Sequence, residues 1–383
     1  MKKYFLFLFT VSLLIPFQLF AEQESVLIND NQGIFNARVE KIIGTKTESF
    51  PNSSTGVIVQ DISAKITSGV FEGQSVSITN DVSPMKVGDK FWGQWITTEG
   101  GTTLFAVSDF ERRPALLGLV ILFVLVILLL GRLQGLRSLG SLALSILAIV
   151  FILIPLLLKG YPPVLVTVLV GSLVLFCAII LTHGWNRISW IAFSSTIISV
   201  VITSVLAQLV TKWSHITGFA SHEAIYLNFN TGGELDFVGI FLASIIIGML
   251  GVLDDISVTQ VAVVRELYAV GSHIKQSEIF TRALRVGKEH VSALVNTLVL
   301  AYVGVALPLV LFYSSGDVNV GHTINSEIFA SEIIRTILGS LGLVMTVPLS
   351  TWLAVVFLKD TRGKKLTEDE KVHAHSHGHD HVH

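Results

Sequence analysis

Asp254 and Asp255 stand side by side in GMLGVLDDISVTQ (residues 248–260), an apolar, glycine-studded run that turns apolar again after the acids. Carboxylates at membrane depth cost about 2.5–3.5 kcal/mol each on insertion scales and by default mark ion or proton pathways. Successive helical residues lie about 100° apart, so the two acids cannot face lipid together, and at least one must meet a partner or a wet cavity. In the competing reading a helix ends at Leu253 and the acids mark its cytoplasmic boundary. Two features favour the pathway: apolar ISVTQVAVV follows the acids, and Gly248 and Gly251 weaken a helix there, so it is not expected to run on smoothly.

Partners for the carboxylates are expected in HVSALVNTLVLAYVGVALP (290–308), which offers Asn296, Thr297 and Tyr302, with Gly304 allowing close packing. Asn, Thr and carboxylate oxygens suit hard cations such as Mg²⁺, Mn²⁺ or Ca²⁺ and relay protons equally well. Simple interhelical hydrogen bonding explains the same residues without a transported ion. A second group closes the chain, VHAHSHGHDHVH, with His373, His375, His377, His379, His381 and His383 in alternation. Imidazole is a common ligand of Zn²⁺, Ni²⁺ and Cu²⁺, and His-rich tracts read as metal-binding. A metal-buffering or sensing tail and an incidental terminus both fit; no cofactor is otherwise called for.

The elements that must position these residues follow from composition. Of 383 residues 51% are hydrophobic and 14% charged, against about 25% charged in a soluble domain. This is the composition of a membrane protein, and the lipid bilayer is its first partner. A net charge of -2 points to no nucleic-acid partner, and the lone Cys177 excludes a disulfide framework or a cysteine metal cluster. The start, MKKYFLFLFTVSLLIPFQLFAEQ, reads as a signal peptide over 1–21, with an uncleaved anchor as the alternative.

Residues 22–113 carry short alternating runs such as GVIVQDISAKI (56–66) and GQSVSITN (73–80), punctuated by Gly, Asn, Asp and Pro. About five strands fit, curled into a small barrel of oligonucleotide-binding type, exported and without a basic aromatic face. Phe91, Trp92 and Trp95 are expected in core or membrane-surface packing rather than a binding patch.

Residues 114–358 hold about seven apolar spans, near 115–131, 138–158, 163–182, 188–211, 237–254, 290–313 and 334–358, each close to the 20 or so residues that cross a hydrocarbon core. With the β-domain outside, the inner loops hold Arg132, Arg137, Arg187, Arg265, Lys275, Arg282, Arg285 and Lys288; the outer ones hold only Lys159, Lys212 and Arg335. This is the positive-inside bias, against which only Arg112 and Arg113 run, and it puts the tail, 359–383, in the cytoplasm. The outer 212–236 segment, with His215, His222 and Glu223, reads as a wet interfacial loop. Arg282, Arg285 and Lys288 fall near one side of a helix, facing either anionic headgroups or solvent.

Two blocks carry a resemblance. GMLGVLDDISV (248–258) and RVGKEHVSALVNTLVLAYVG (285–304) resemble the signature blocks of the YibE/F-like family of bacterial multipass membrane proteins, and GVFEGQSVSITN (69–80) and KVGDK (86–90) resemble its N-terminal part. The likeness extends over most of residues 33–358. It implies a multipass protein of the bacterial inner membrane, some of whose relatives are called transporters. Related sequences often carry one acid followed by a small residue, so Asp254-Asp255 leaves open which carboxylate matters.

The chain is therefore expected to be an α-helical polytopic membrane protein with a small exported all-β domain. No Gly-x-Ser-x-Gly, phosphate-binding glycine loop or His-Glu-x-x-His occurs, and no enzyme is expected. Two functions stand: a secondary transporter or permease for a small ion, a divalent metal among the candidates, and a non-transporting envelope scaffold or sensor whose β-domain binds a partner. Seven spans are few for a transporter, which points to a homo-oligomer.

Overall fold

The computed structural model describes residues 31–49, 56–98, 100–270, 274–316 and 319–361. The signal segment 1–21 and the histidine tract from His373 to His383 lie outside the described residues. The chain divides into two compact units between Arg132 and Leu133.

In the first unit five strands, β1 (Gln32–Ser49), β2 (Gly56–Ser68), β3 (Ser75–Asn80), β4 (Lys90–Thr97) and β5 (Thr103–Phe110), form one antiparallel sheet of order β3-β2-β1-β4-β5. The long β1 pairs β4 with its first residues and β2 along most of its length, and three register shifts bend it. The alternation read from the sequence sets the inner face: Phe35, Ala37 and Val39 on β1, Ile62, Ala64 and Ile66 on β2, Phe91 and Trp95 on β4 are all buried. Phe35 meets Phe91 and Phe105 edge to face, and Phe71 meets Trp95 likewise. Phe91 and Trp95 are thus core, as expected. Trp92 lies on the other side of β4 under the Arg113 guanidinium, 4.7 Å from ring centre. Arg113 also bonds Glu111 (Nε to Oε1, 2.7 Å) and holds its carboxyl below the usual carboxylate range.

Beyond the sheet the chain is helical: α1 (Arg113–Ala148), a π-helical turn (Ile149–Leu153), α2 (Ile154–Leu158), α3 (Pro163–His183), α4 (Arg187–Trp213), α5 (His222–Asn230), α6 (Phe237–Val270), α7 (Gln276–Ser314), α8 (Val320–Asn325) and α9 (Glu327–Phe357). Among the described residues six helices are long and apolar enough to cross a membrane. The count differs from seven because the first two expected spans run together over Arg113–Leu158, 46 residues, with the backbone broken at Arg132 (φ 45°, ψ -124°).

The second unit packs around α4, α6 and α9. Their contacts are close because small and hydroxyl side chains line them. Thr196 donates to Ser257 Oγ (2.6 Å) between α4 and α6, and Gly342 of α9 admits Thr203 and Met249, which a methyl there would meet at 3.1 and 3.3 Å. The buried Gln260 ties three helices: its Nε2 donates to Ala283 O of α7 (2.8 Å) and Thr351 Oγ1 of α9 (2.7 Å). At one end Trp185, Trp190, Phe176 and Phe193 form an aromatic cluster of the kind that sits at a membrane surface.

The expected interruption near the aspartates is corrected: α6 runs without a break through Gly248, Gly251, Asp254 and Asp255 to Val270. A glycine costs a helix only about 1 kcal/mol. Burial of Met249, Leu253, Ile256 and Val258 between neighbouring helices outweighs it.

Candidate functional site

The two aspartates part as the 100° step requires. Asp255 is exposed, whereas Asp254 is half-buried and lines a cavity of about 390 Å³. One carboxylate oxygen of Asp254, Oδ1, is sealed from solvent without a hydrogen-bond partner. Leaving such an atom buried is costly, a cost that a proton, a water or another polar group at this oxygen would offset.

Three helical faces build the cavity. From α6 come Ile247, Leu250, Gly251 and Asp254, spaced i, i+3, i+4, i+7. From α1 come Ser138, Ser141, Leu142, Ser145 and Ile146, on the same spacing, continued by Ile149 and Leu153 of the π turn. From α3 come Thr167, Val170, Gly171, Val174, Leu175 and Ala178. The π turn, just ahead of Pro155, is the sort of local irregularity that clusters at functional sites. Gly171 lets α3 approach α6 so closely that a methyl there would overlap Leu250, whereas a methyl at Gly251 would meet open space. Thr167 Oγ1 is buried without a partner, like Asp254 Oδ1, and Ser145 Oγ donates to Ser141 O (2.9 Å).

The polar wall is thus Ser138, Ser141, Ser145 and Thr167, none of them singled out from sequence. The signal was there: three serines at i, i+3 and i+7 in an otherwise apolar span.

The residues expected to partner the acids sit elsewhere. Tyr302 does reach α6, but at Gly248, where a methyl would stand 2.8 Å from its hydroxyl. Asn296 and Thr297 are exposed on α7, the Thr297 hydroxyl donates to Ala293 O (2.9 Å), and neither lines the Asp254 cavity. The reason is angular. Gly248 and Asp254 are six residues, about 240°, apart on α6, and Tyr302 and Asn296 are equally far apart on α7, so the contact that seats Tyr302 turns both other groups away.

A second cavity, about 510 Å³, lies between α5, α6, α7 and α9. Its walls are mostly apolar, and its one guanidinium, Arg335, is held by Glu332 (2.6 Å) and lies over the Phe241 ring, 5.5 Å from its centre. The outer loop read as interfacial supplies α5, which Ser221 caps by accepting from Ala224 N (3.2 Å). Glu223, in its first turn, is held below the usual carboxylate range by its own backbone N–H and then the Ser221 hydroxyl. Among the described residues no three His, Cys, Asp or Glu side chains are placed to share a metal ion, so His215, His222 and Glu223 do not gather into a site.

Fold and cavity together define a helical membrane protein carrying a β-domain. A family model described as YibE/F-like protein matches residues 119–360, and the chain belongs to that family. The match spans both blocks, 248–258 and 285–304; the likenesses at 69–80 and 86–90 fall outside it. Neither a search of curated proteins nor one of solved structures returned a match.

Proposed function

We propose that this chain is a permease for a small ion, with the Asp254 carboxylate as the group that takes the ion inside the bilayer. The observation that carries the reading is the Asp254 Oδ1 atom, buried and without a partner at the wall of a cavity bounded by three membrane helices. A carboxylate in that setting is expensive unless an ion or proton offsets its charge. In this reading the β-domain, of oligonucleotide-binding type, lies outside the inner membrane, the tail lies in the cytoplasm, and no chemical transformation is catalysed. The scaffold alternative, in which the helices only anchor the β-domain, needs no such carboxylate.

The two are separated by flux in reconstituted vesicles. Asp254→Asn is expected to insert normally and to lower ion flux more than tenfold, corresponding to the loss of over about 1.4 kcal/mol of ion stabilisation. Asp255→Asn, changing an exposed acid, is expected to keep most of it. Flux that is indifferent to Asp254→Asn, or absent for protons and every cation tried, overturns the permease in favour of the scaffold.

A further inference from the structure

The donors in the Asp254 cavity narrow what the site takes. One carboxylate and four hydroxyls line it, with no imidazole, thiol or second carboxylate among the lining residues. The remaining wall is apolar, from Leu142, Ile146, Val170, Val174, Ile247 and Leu250. A divalent cation needs six or more oxygens converging at about 2.0–2.6 Å, and transition metals also favour nitrogen or sulfur donors. A single carboxylate would leave a doubly charged ion half compensated against apolar walls, which is unfavourable. Sodium matches the charge but still wants its oxygens gathered around one point. Here they are strung out: Ser138, Ser141 and Ser145 occupy a stripe about 10 Å long at 1.5 Å per residue, with Thr167 on another helix. These hydroxyls, each both donor and acceptor, share the cavity with one carboxylate without bonding it, and Ser145 Oγ donates to Ser141 O (2.9 Å). The arrangement suits a proton passed between them through cavity water and needs no cage.

We propose that the ion taken at Asp254 is a proton, relayed along the Ser138–Ser141–Ser145 face, rather than a metal ion. This rests on the permease reading for its purpose, but the binding step is testable without it. Protonation breaks an O–H bond of hydronium, forms one on the Asp254 carboxylate and neutralises it. Release breaks that bond and returns the proton to water beside the serine stripe, restoring the anion, so atoms and charge balance with water as the carrier. Asp254 is the one titratable side chain lining the cavity among the described residues. The titratable groups nearest in sequence on the elements that form it are Asp255 on α6, Arg137 on α1 and Cys177 on α3, and none of them lines it.

The test is infrared difference spectroscopy of the purified full chain in lipid, titrated with pH and then with sodium, magnesium or manganese chloride, beside proton uptake into vesicles. A carbonyl band of a protonated acid is expected in the native chain, in Asp255→Asn and in Asp254→Glu, and is lost in Asp254→Asn; saturating metal salts leave it unchanged. Ser141→Ala keeps the band and slows proton uptake several-fold. A band abolished by sodium or a divalent metal at constant pH overturns the proton assignment while leaving a permease. The proton assignment falls equally if no Asp254-dependent band appears at any pH. A metal-indifferent band with no flux of any ion sustains the proton site and overturns the permease.

Discussion

Two glycines on one helix are expected to respond in opposite ways. At Gly251 a methyl enters open space beside Asp254, so Gly251→Ala gains helix propensity, worth about 1 kcal/mol, and should raise the midpoint of thermal unfolding in detergent. At Gly248 the same methyl stands 2.8 Å from the Tyr302 hydroxyl, and Gly248→Ala should lower the midpoint because that contact must be rebuilt. Gly251→Leu should retain the fold yet suppress flux by filling the cavity; full flux with a filled cavity would show that the cavity is not the route. At this scale the sequence was partly legible. That Asp254 and Asp255 face different ways follows from the helical step alone. That the Ser138–Ser141–Ser145 stripe of α1 is what turns toward Asp254 does not, since a serine in an apolar span is usually satisfied by the carbonyl one turn back, as Ser145 is, and which face of a distant helix turns inward is set by tertiary packing.

Strands were easier to read than helix limits, and Gly93 shows why. In β4 the alternation of Phe91, Gly93 and Trp95 is the inner face, and glycine is required because the Phe35 ring fills the space a methyl would take. Gly93→Ala is expected to destabilise the β-domain by about 1–3 kcal/mol, read as a lower denaturant midpoint of near-ultraviolet circular dichroism in the full chain. An unchanged midpoint would mean that the Phe35 ring swings aside freely. A period of two is stamped on a strand locally, so the runs at 56–66 and 73–80 and a total of about five strands could be read without knowing their partners. Helix limits in the second unit obey no such local rule. α6 and α7 both run well past their apolar spans, because Gln260 and Tyr268 (hydroxyl to Val355 O, 2.8 Å) bind the extensions to neighbouring helices by contacts between residues far apart in sequence.

For the whole molecule the decisive feature is Arg132. A continuous helix over Arg113–Leu158 would be about 69 Å long, more than twice a hydrocarbon core, and would put Arg132 and Arg137 far from either end. The break divides it into arms of about 28 and 39 Å, each able to span once. With Arg132 at the break and Arg137 just after it, the positive-inside bias predicts that the break lies at the cytoplasmic surface, where neither cation is desolvated. On that reading the Arg113–Leu158 stretch is expected to cross twice and the chain seven times. In a Cys177→Ala background, Glu72→Cys in the β-domain and Lys159→Cys after α2 are expected to react with a membrane-impermeant maleimide from outside intact cells. Lys359→Cys, after α9, should react only once the membrane is opened. If the Arg113–Leu158 stretch crosses once instead, Lys159→Cys falls silent and Lys359→Cys becomes accessible together with Glu72→Cys. That pattern would also turn the serine stripe of α1 end for end and so reverse the side from which a proton enters the Asp254 cavity.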